Sequence, residues 1–182
     1  MTPARVVLTY RDYEALPNDG RRYEIHEGKL SVTAAPRTRH QIVSINLASA
    51  LHVHVTARGV GQVFHAPTAV ILSDTSVVEP DIVYVATDRL GQISERGIEG
   101  PPTLAVEILS PSTAQTDRQT KMQLYARHAV PWYWIVDPDN RGVEVYRLAA
   151  GGYVLDTRAS GDEPLSAELL ADLVIAPSSL WA

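Results

Sequence analysis

The chain has 182 residues, 45% of them hydrophobic and 20% charged, with a formal net charge of −5 and no cysteine. That length fits a single domain over residues 1–182 with a substantial core. The missing cysteine excludes disulfides, thiol nucleophiles and zinc–thiolate sites, and the acidic balance argues against bulk, non-specific binding of nucleic acid.

Residues 1–5 carry no apolar signal core, and no apolar stretch approaches the roughly 20 residues that span a bilayer. A cytoplasmic protein with no membrane partner is expected. Thr9 is placed to cap a short helix that stops at Pro17-Asn18-Asp19-Gly20. Residues 22–26 alternate, Tyr23 and Ile25 against Glu24 and His26, and Glu27-Gly28 turns them into a partner strand at 30–33. Thr38 and Gln41 have capping-box spacing ahead of a long helix over 39–58 that ends at Gly59. Residues 62–66, 68–73 and 81–86 read as strands, the last opened by Glu79-Pro80. Residues 88–102, rich in Gly, Pro and charge, read as a loop or lid. The run 103–109 is a strand closed by Ser110-Pro111, and Ser112 with Gln115 sets a second capping box for a helix to about His128. Strands at 132–136, 143–148 and 153–157 follow, with a short closing segment at Leu173-Val174-Ile175. The order predicts one α/β domain, a mixed β-sheet flanked by helices, with added β-hairpins.

Glu107 is the residue that asks for an explanation. Residues 103–109 are otherwise suited to a strand buried on both faces. An ionised carboxylate there costs several kcal/mol unless a cation or a set of donors compensates it. Asp81 opens the preceding apolar strand, 26 residues earlier. If the two strands are neighbours, both carboxylates point into one cleft. At about 4 Å and an effective dielectric near 20 they repel by roughly 4 kcal/mol. A hard divalent cation, Mg²⁺ or Mn²⁺, would turn that repulsion into binding.

Only Lys29 and Lys121 are lysine among 16 basic residues, and Lys29 lies in a turn. Glu107 lies about 13 Å down its strand from Pro111, and Lys121 about 13.5 Å along the helix from Ser112. If that helix folds back along the strand, the ammonium comes level with Glu107 across a layer gap of around 10 Å. Asp117 and Tyr125 lie one turn to either side of Lys121 on the same face.

Pro80-Asp81, Glu107-Ile108-Leu109-Ser110-Pro111-Ser112, Asp117, Lys121, Tyr125 and Tyr133-Trp134-Ile135-Val136-Asp137-Pro138 together resemble the Uma-two family of restriction endonucleases, within the PD-(D/E)XK nuclease superfamily. The likeness runs from about Tyr10 to Trp181. The resemblance implies a restriction-endonuclease-like core and Mg²⁺-dependent hydrolysis of DNA phosphodiester bonds. It carries over Asp81 and Glu107 as metal ligands and Lys121 as the catalytic lysine, with Glu24 as the upstream glutamate that completes the metal shell. Leu109 stands where the superfamily usually has its lysine, two residues after the glutamate, so the lysine is expected to have moved onto the next helix.

Singly, each residue has a plainer reading. Asp81 is a common strand-start residue, Glu107 a salt-bridged core residue, Lys121 a solvated partner of Asp117, and Glu24 the polar side of a strand. His52 and His54, two apart on a helix, face different ways and read as surface residues. His40, beside Arg37 and Arg39, reads as a solvated residue of the capping turn, with a phosphate contact as the alternative. Trp132, Tyr133 and Trp134 read as packing groups. Two rivals stand beside the endonuclease: an inactive nuclease-fold binding module, which the acidic charge favours, and a phosphoesterase acting on RNA or nucleotides. A homodimer follows by analogy with nucleases that cut two strands with two subunits.

Overall fold

A computed structural model describes residues 6–182; the reading of residues 1–5 lies outside them. The chain begins with helix α1 (Tyr10–Glu14), strands β1 (Arg22–His26) and β2 (Lys29–Thr33), and helix α2 (Thr38–Arg58). Strands β3 (Gly61–His65), β4 (Val70–Ser73), β5 (Ser76–Val78), β6 (Ile82–Ala86), β7 (Ile93–Ser94), β8 (Gly97–Glu99) and β9 (Leu104–Ile108) follow. A π-helical turn (Thr116–Lys121) leads into α3 (Met122–Arg127), and β10 (Trp132–Asp137), β11 (Gly142–Ala149) and β12 (Gly152–Ser160) complete the strands.

These strands form two six-stranded mixed sheets flanked by helices. The central sheet has the order β12-β11-β10-β9-β6-β3, with β9 parallel to β10 and antiparallel to β6. β9 and β10 are apolar on both faces, which suits them to the middle positions. One face packs on α2 and the C-terminal segment, where Leu47, Leu51 and Val55 meet Val106, Trp134 and Ile175. The other packs on α3 and the second sheet, where Leu124 and Tyr125 meet Ala105, Val83 and Tyr133. Side chains two apart on a strand share a face. Glu107 therefore looks the same way as Ala105, and Asp81 the same way as Val83, toward the second sheet.

The second sheet, of order β2-β1-β5-β4-β8-β7, is assembled from the expected hairpins and from residues expected to be a lid. Residues 88–102 hold a 3₁₀ turn and strands β7 and β8, and β8 runs parallel to β4 with Val70 paired to Ile98. Ile98 is buried and fixes this segment to the core, so it is not a lid. Strand β5, three residues long, bridges β1 and β4 and is too short to show a period in the sequence. At the turn into β8, Gly97 has φ +130°, and a side chain there would collide with the Ala69 carbonyl, to which Ile98 donates at 2.9 Å. Gly97→Ala is expected to destabilise by about 1–3 kcal/mol, read as a lower urea midpoint. A midpoint at the wild-type value would show the segment free to move after all.

Thr9 caps α1 as expected, whereas the two expected capping boxes shift. Thr9 donates from both its N–H (2.8 Å) and its hydroxyl (2.9 Å) to Asp12. α2 starts one residue earlier than expected, with Arg37 at the cap and its carbonyl accepting from Gln41, so Thr38 lies inside the helix. It ends as expected at Gly59, whose φ of 62° is left-handed. Ser112 with Gln115 does not start the third helix. There the Ser110 carbonyl accepts from Ala114 at 2.9 Å, and the Thr113 hydroxyl accepts the Ser110 N–H at 3.3 Å. His52 is exposed, whereas His54 is buried beside Arg58, contrary to the surface reading. Trp132, Tyr133 and Trp134 are core residues, as expected. Among the described residues no helix is long and apolar enough to cross a membrane.

Candidate active site

The site lies where the two sheets meet. β6 and β9 pair Ile82 with Val106, and one more step of that antiparallel register sets Asp81 opposite Glu107. Asp81 Oδ2 accepts the Ile108 N–H at 2.7 Å, which ties the first carboxylate to the strand bearing the second. Glu24 comes from β1 in the other sheet, and Lys121 and Asp117 from the π-helical turn. Glu24, Asp81, Glu107 and Asp117 are each 2% exposed and Lys121 is 4% exposed.

Lys121 binds the group together. Its Nζ lies 2.9 Å from Glu24 Oε1, 3.0 Å from Glu107 Oε1 and 3.7 Å from Asp117 Oδ1. The Tyr125 hydroxyl also donates to Glu107 Oε1, at 2.7 Å. A π turn widens the helix by shifting its hydrogen bonds to i→i+5, and the Tyr133 hydroxyl donates to the Asp117 carbonyl at 2.9 Å inside it. Lys121 closes this turn.

Residues that sequence reasoning left out complete the set. Arg22 Nη1 donates to Asp81 Oδ1 at 2.8 Å. His40, expected in solvent, instead has Nε2 3.1 Å from Asp81 Oδ2, and its Nδ1 is buried without a partner. His26 Nε2 lies 3.0 Å from Glu24 Oε2, and the Glu79 N–H donates to Glu24 Oε1 at 2.8 Å. Arg22, Glu24 and His26 share one face of β1, since a strand repeats every two residues. The sequence offered one signal for this: polar groups at three alternate positions beside a buried Ile25.

Burial opposes ionisation of every acid here, but the outcomes differ. For Glu24, Lys121, His26 and the Glu79 N–H outweigh burial and pull the carboxyl down to about 2. Asp81 is likewise held below the usual range despite burial, by His40 and Arg22. Glu107 goes the other way, well above the usual glutamate value. Burial and the nearby Asp117, Asp81 and Glu24 carboxylates outweigh its ammonium. Asp117 is raised for the same first reason, burial. Lys121 is driven up by Glu107, Glu24 and Asp117 against the effect of burial, so it stays an ammonium ion.

Four buried carboxyl groups, Glu24, Asp81, Glu107 and Asp117, stand around two cations, Lys121 and the partly buried Arg22. These groups line a cavity of 690 Å³. Carboxylate oxygens are donors that Mg²⁺ and Mn²⁺ accept, and Mg²⁺ is usually held through one or two of them with water filling the remaining positions. Among the described residues no three or more His, Asp or Glu side chains are gathered into a metal cage. The fit is of the open kind: Asp81 and Glu107 stand in the cavity wall, with the Glu24 and Asp117 carboxyl groups beside them.

Mixed sheets flanked by helices, with paired strand carboxylates and a helix-borne lysine at their junction, define a nuclease-type α/β fold. The chain belongs to the Uma2 family, described as "putative restriction endonuclease", whose family model matches residues 10–178. Its structure is similar to the crystal structure of a protein from Anabaena variabilis described as "a putative nuclease belonging to DUF820". The TM-score is 0.78, with 22% identity over 96% of this chain and 97% of that one. At that identity the likeness establishes the fold. No curated protein matches the sequence.

Proposed function

We propose that this protein is an endonuclease that hydrolyses DNA phosphodiester bonds with Mg²⁺ or Mn²⁺. The observation that carries the proposal is the ammonium of Lys121, bound by Glu24 and Glu107 in the wall of a cavity that Asp81 also lines. Asp81 and Glu107 are the metal ligands, and Glu24 completes the acidic set. A divalent ion bound there supplies Lewis-acid polarisation of the scissile phosphate and a more acidic water.

Lys121, fixed as a cation, acts by hydrogen bonding and charge rather than as a base. It orients the attacking water and offsets the negative charge that builds on the phosphate. Water adds to phosphorus, the bond to the leaving oxygen breaks, and a phosphate monoester and an alcohol result. Two copies acting on opposite strands of cytoplasmic DNA complete the proposal. The purified protein is expected to cut DNA when Mg²⁺ or Mn²⁺ is added, and Glu107→Ala to stop cutting with the fold retained by circular dichroism. Equal cutting by that variant overturns the assignment.

A second function has one observation in its favour. Both oxygens of Asp81 and both of Glu24 already accept from protein groups. That saturation suits an inactive nuclease-fold module that binds nucleic acid without cutting it. Calorimetry separates the two, because such a module takes up no Mn²⁺.

A further inference from the structure

Arg22 is a cation that the proposed mechanism leaves unused. One corner of its guanidinium, Nη1, donates to Asp81 Oδ1 at 2.8 Å, and Nε lies 3.9 Å from Glu79 Oε2. Among the described residues Nη2 makes no hydrogen bond. The side chain is 18% exposed. It lines both the 690 Å³ cavity and a second one of 430 Å³, and the two cavities share Arg22, Ala35, Pro36, His40 and Asp81.

A guanidinium is a planar fork of donors that fits a phosphate as well as a carboxylate. Lys121 is committed to three carboxylates in the cavity wall, whereas Arg22 has one close partner and free donors at the junction of two cavities. A divalent cation on Asp81 competes with Arg22 for the same oxygens and repels it. A phosphate in the cleft is then the anion that the free Nη2 corner can take, with Nε still beside Glu79.

We propose that Arg22 is a phosphate-binding residue held in reserve: it neutralises Asp81 until a divalent cation does so, and then turns its fork to the substrate backbone. The proposal rests on the nuclease function above. Its test compares the wild type with Arg22→Gln and Arg22→Lys, each first checked for a cooperative thermal melt. Calorimetry reads the affinity for Mn²⁺ alone. Fluorescence anisotropy, in Mn²⁺, reads the affinity for a dye-labelled phosphorothioate DNA duplex that resists cutting.

Arg22→Gln is expected to bind Mn²⁺ several-fold more tightly and the duplex about tenfold more weakly, the loss of one charge-assisted contact. Arg22→Lys, with the charge but not the fork, is expected to keep wild-type Mn²⁺ affinity and to lose several-fold in duplex affinity. Wild-type values for both ligands in both variants overturn the proposal, and so does tighter Mn²⁺ binding with no loss of duplex. If Arg22→Gln fails to fold, Arg22→Lys decides by losing or keeping the duplex. A wild type that takes up no Mn²⁺ brings down the metal site and this proposal together, whereas uptake with an unchanged Arg22→Gln removes the role of Arg22 alone.

Discussion

Lys121→Ala is expected to lose DNA cleavage and a large part of the folding free energy at once. Three carboxylates converge on the ammonium, at 2.9, 3.0 and 3.7 Å, and all are buried. Removing one partner of a buried ion pair leaves its counter-charge uncompensated and costs about 3–5 kcal/mol. Against a total stability of about 5–15 kcal/mol, urea denaturation at neutral pH resolves such a loss easily. Glu107 and Asp117, whose carboxyls already sit above their usual ranges, can take up protons, so the deficit should shrink as the pH is lowered. Lys121→Met keeps most of the side-chain volume and should behave like the alanine variant, which assigns the loss to charge and not to a cavity. The rate should fall by about 10²–10³-fold, the usual effect of losing one preorganised donor to a developing charge. A Lys121→Met protein with wild-type stability and wild-type cleavage would remove the ammonium from the centre of the site.

Chain lengths bring Glu107 and Lys121 level, and Asp81 joins them where its strand neighbours that of Glu107, because all three positions depend on regular elements. The rise along β9 and along the following helix is set by backbone geometry, and the return of the helix is enforced by the apolar side chains it must bury. The 3.0 Å contact between Lys121 and Glu107 is the outcome. The departure lay in the local form: the turn bearing Lys121 is π-helical and not α-helical. Hydrogen-bond register inside a helix leaves little trace in residue spacing.

Other parts of the site were hidden for a different reason. Glu24 alternates with Ile25 and so reads as solvent-facing, a pattern that assumes one face of β1 meets water. β1 instead packs its polar face against the π-helical turn, and only the tertiary arrangement reveals that. Arg22 and His40 reach Asp81 from 59 and 41 residues away, and no spacing rule links them to it. The expected lid at residues 88–102 had the composition of a loop, yet its two short strands find partners through β4. Strands of two and three residues carry too few side chains to show a period.

Glu107→Gln is expected to make the metal-free protein more stable and catalytically inert. The amide keeps the shape of the side chain and its acceptor for Lys121 and Tyr125, and removes a buried group whose charged form burial and the neighbouring carboxylates disfavour. Buried charge that is incompletely paired costs more than a neutral group of similar volume. The gain should be on the order of 1 kcal/mol or more at neutral pH. Its pH dependence follows from the sign of the Glu107 shift. The folded-state value is raised above the unfolded one, chiefly by burial, so the folded protein binds the proton more tightly. The stabilising contribution of Glu107 is then complete below the unfolded value and is lost as pH rises through the folded one. Wild type and variant should therefore have nearly equal stability at acid pH and diverge as the pH rises, with the variant ahead. Added Mn²⁺ should close the gap by stabilising only the wild type, since binding to the folded state alone adds stability by mass action. Equal or lower stability of Glu107→Gln across the whole pH range would mean that Lys121 already compensates Glu107 in full. The carboxylate crowding that raises Glu107, and with it the physical reason for a divalent ion at this place, would then be gone.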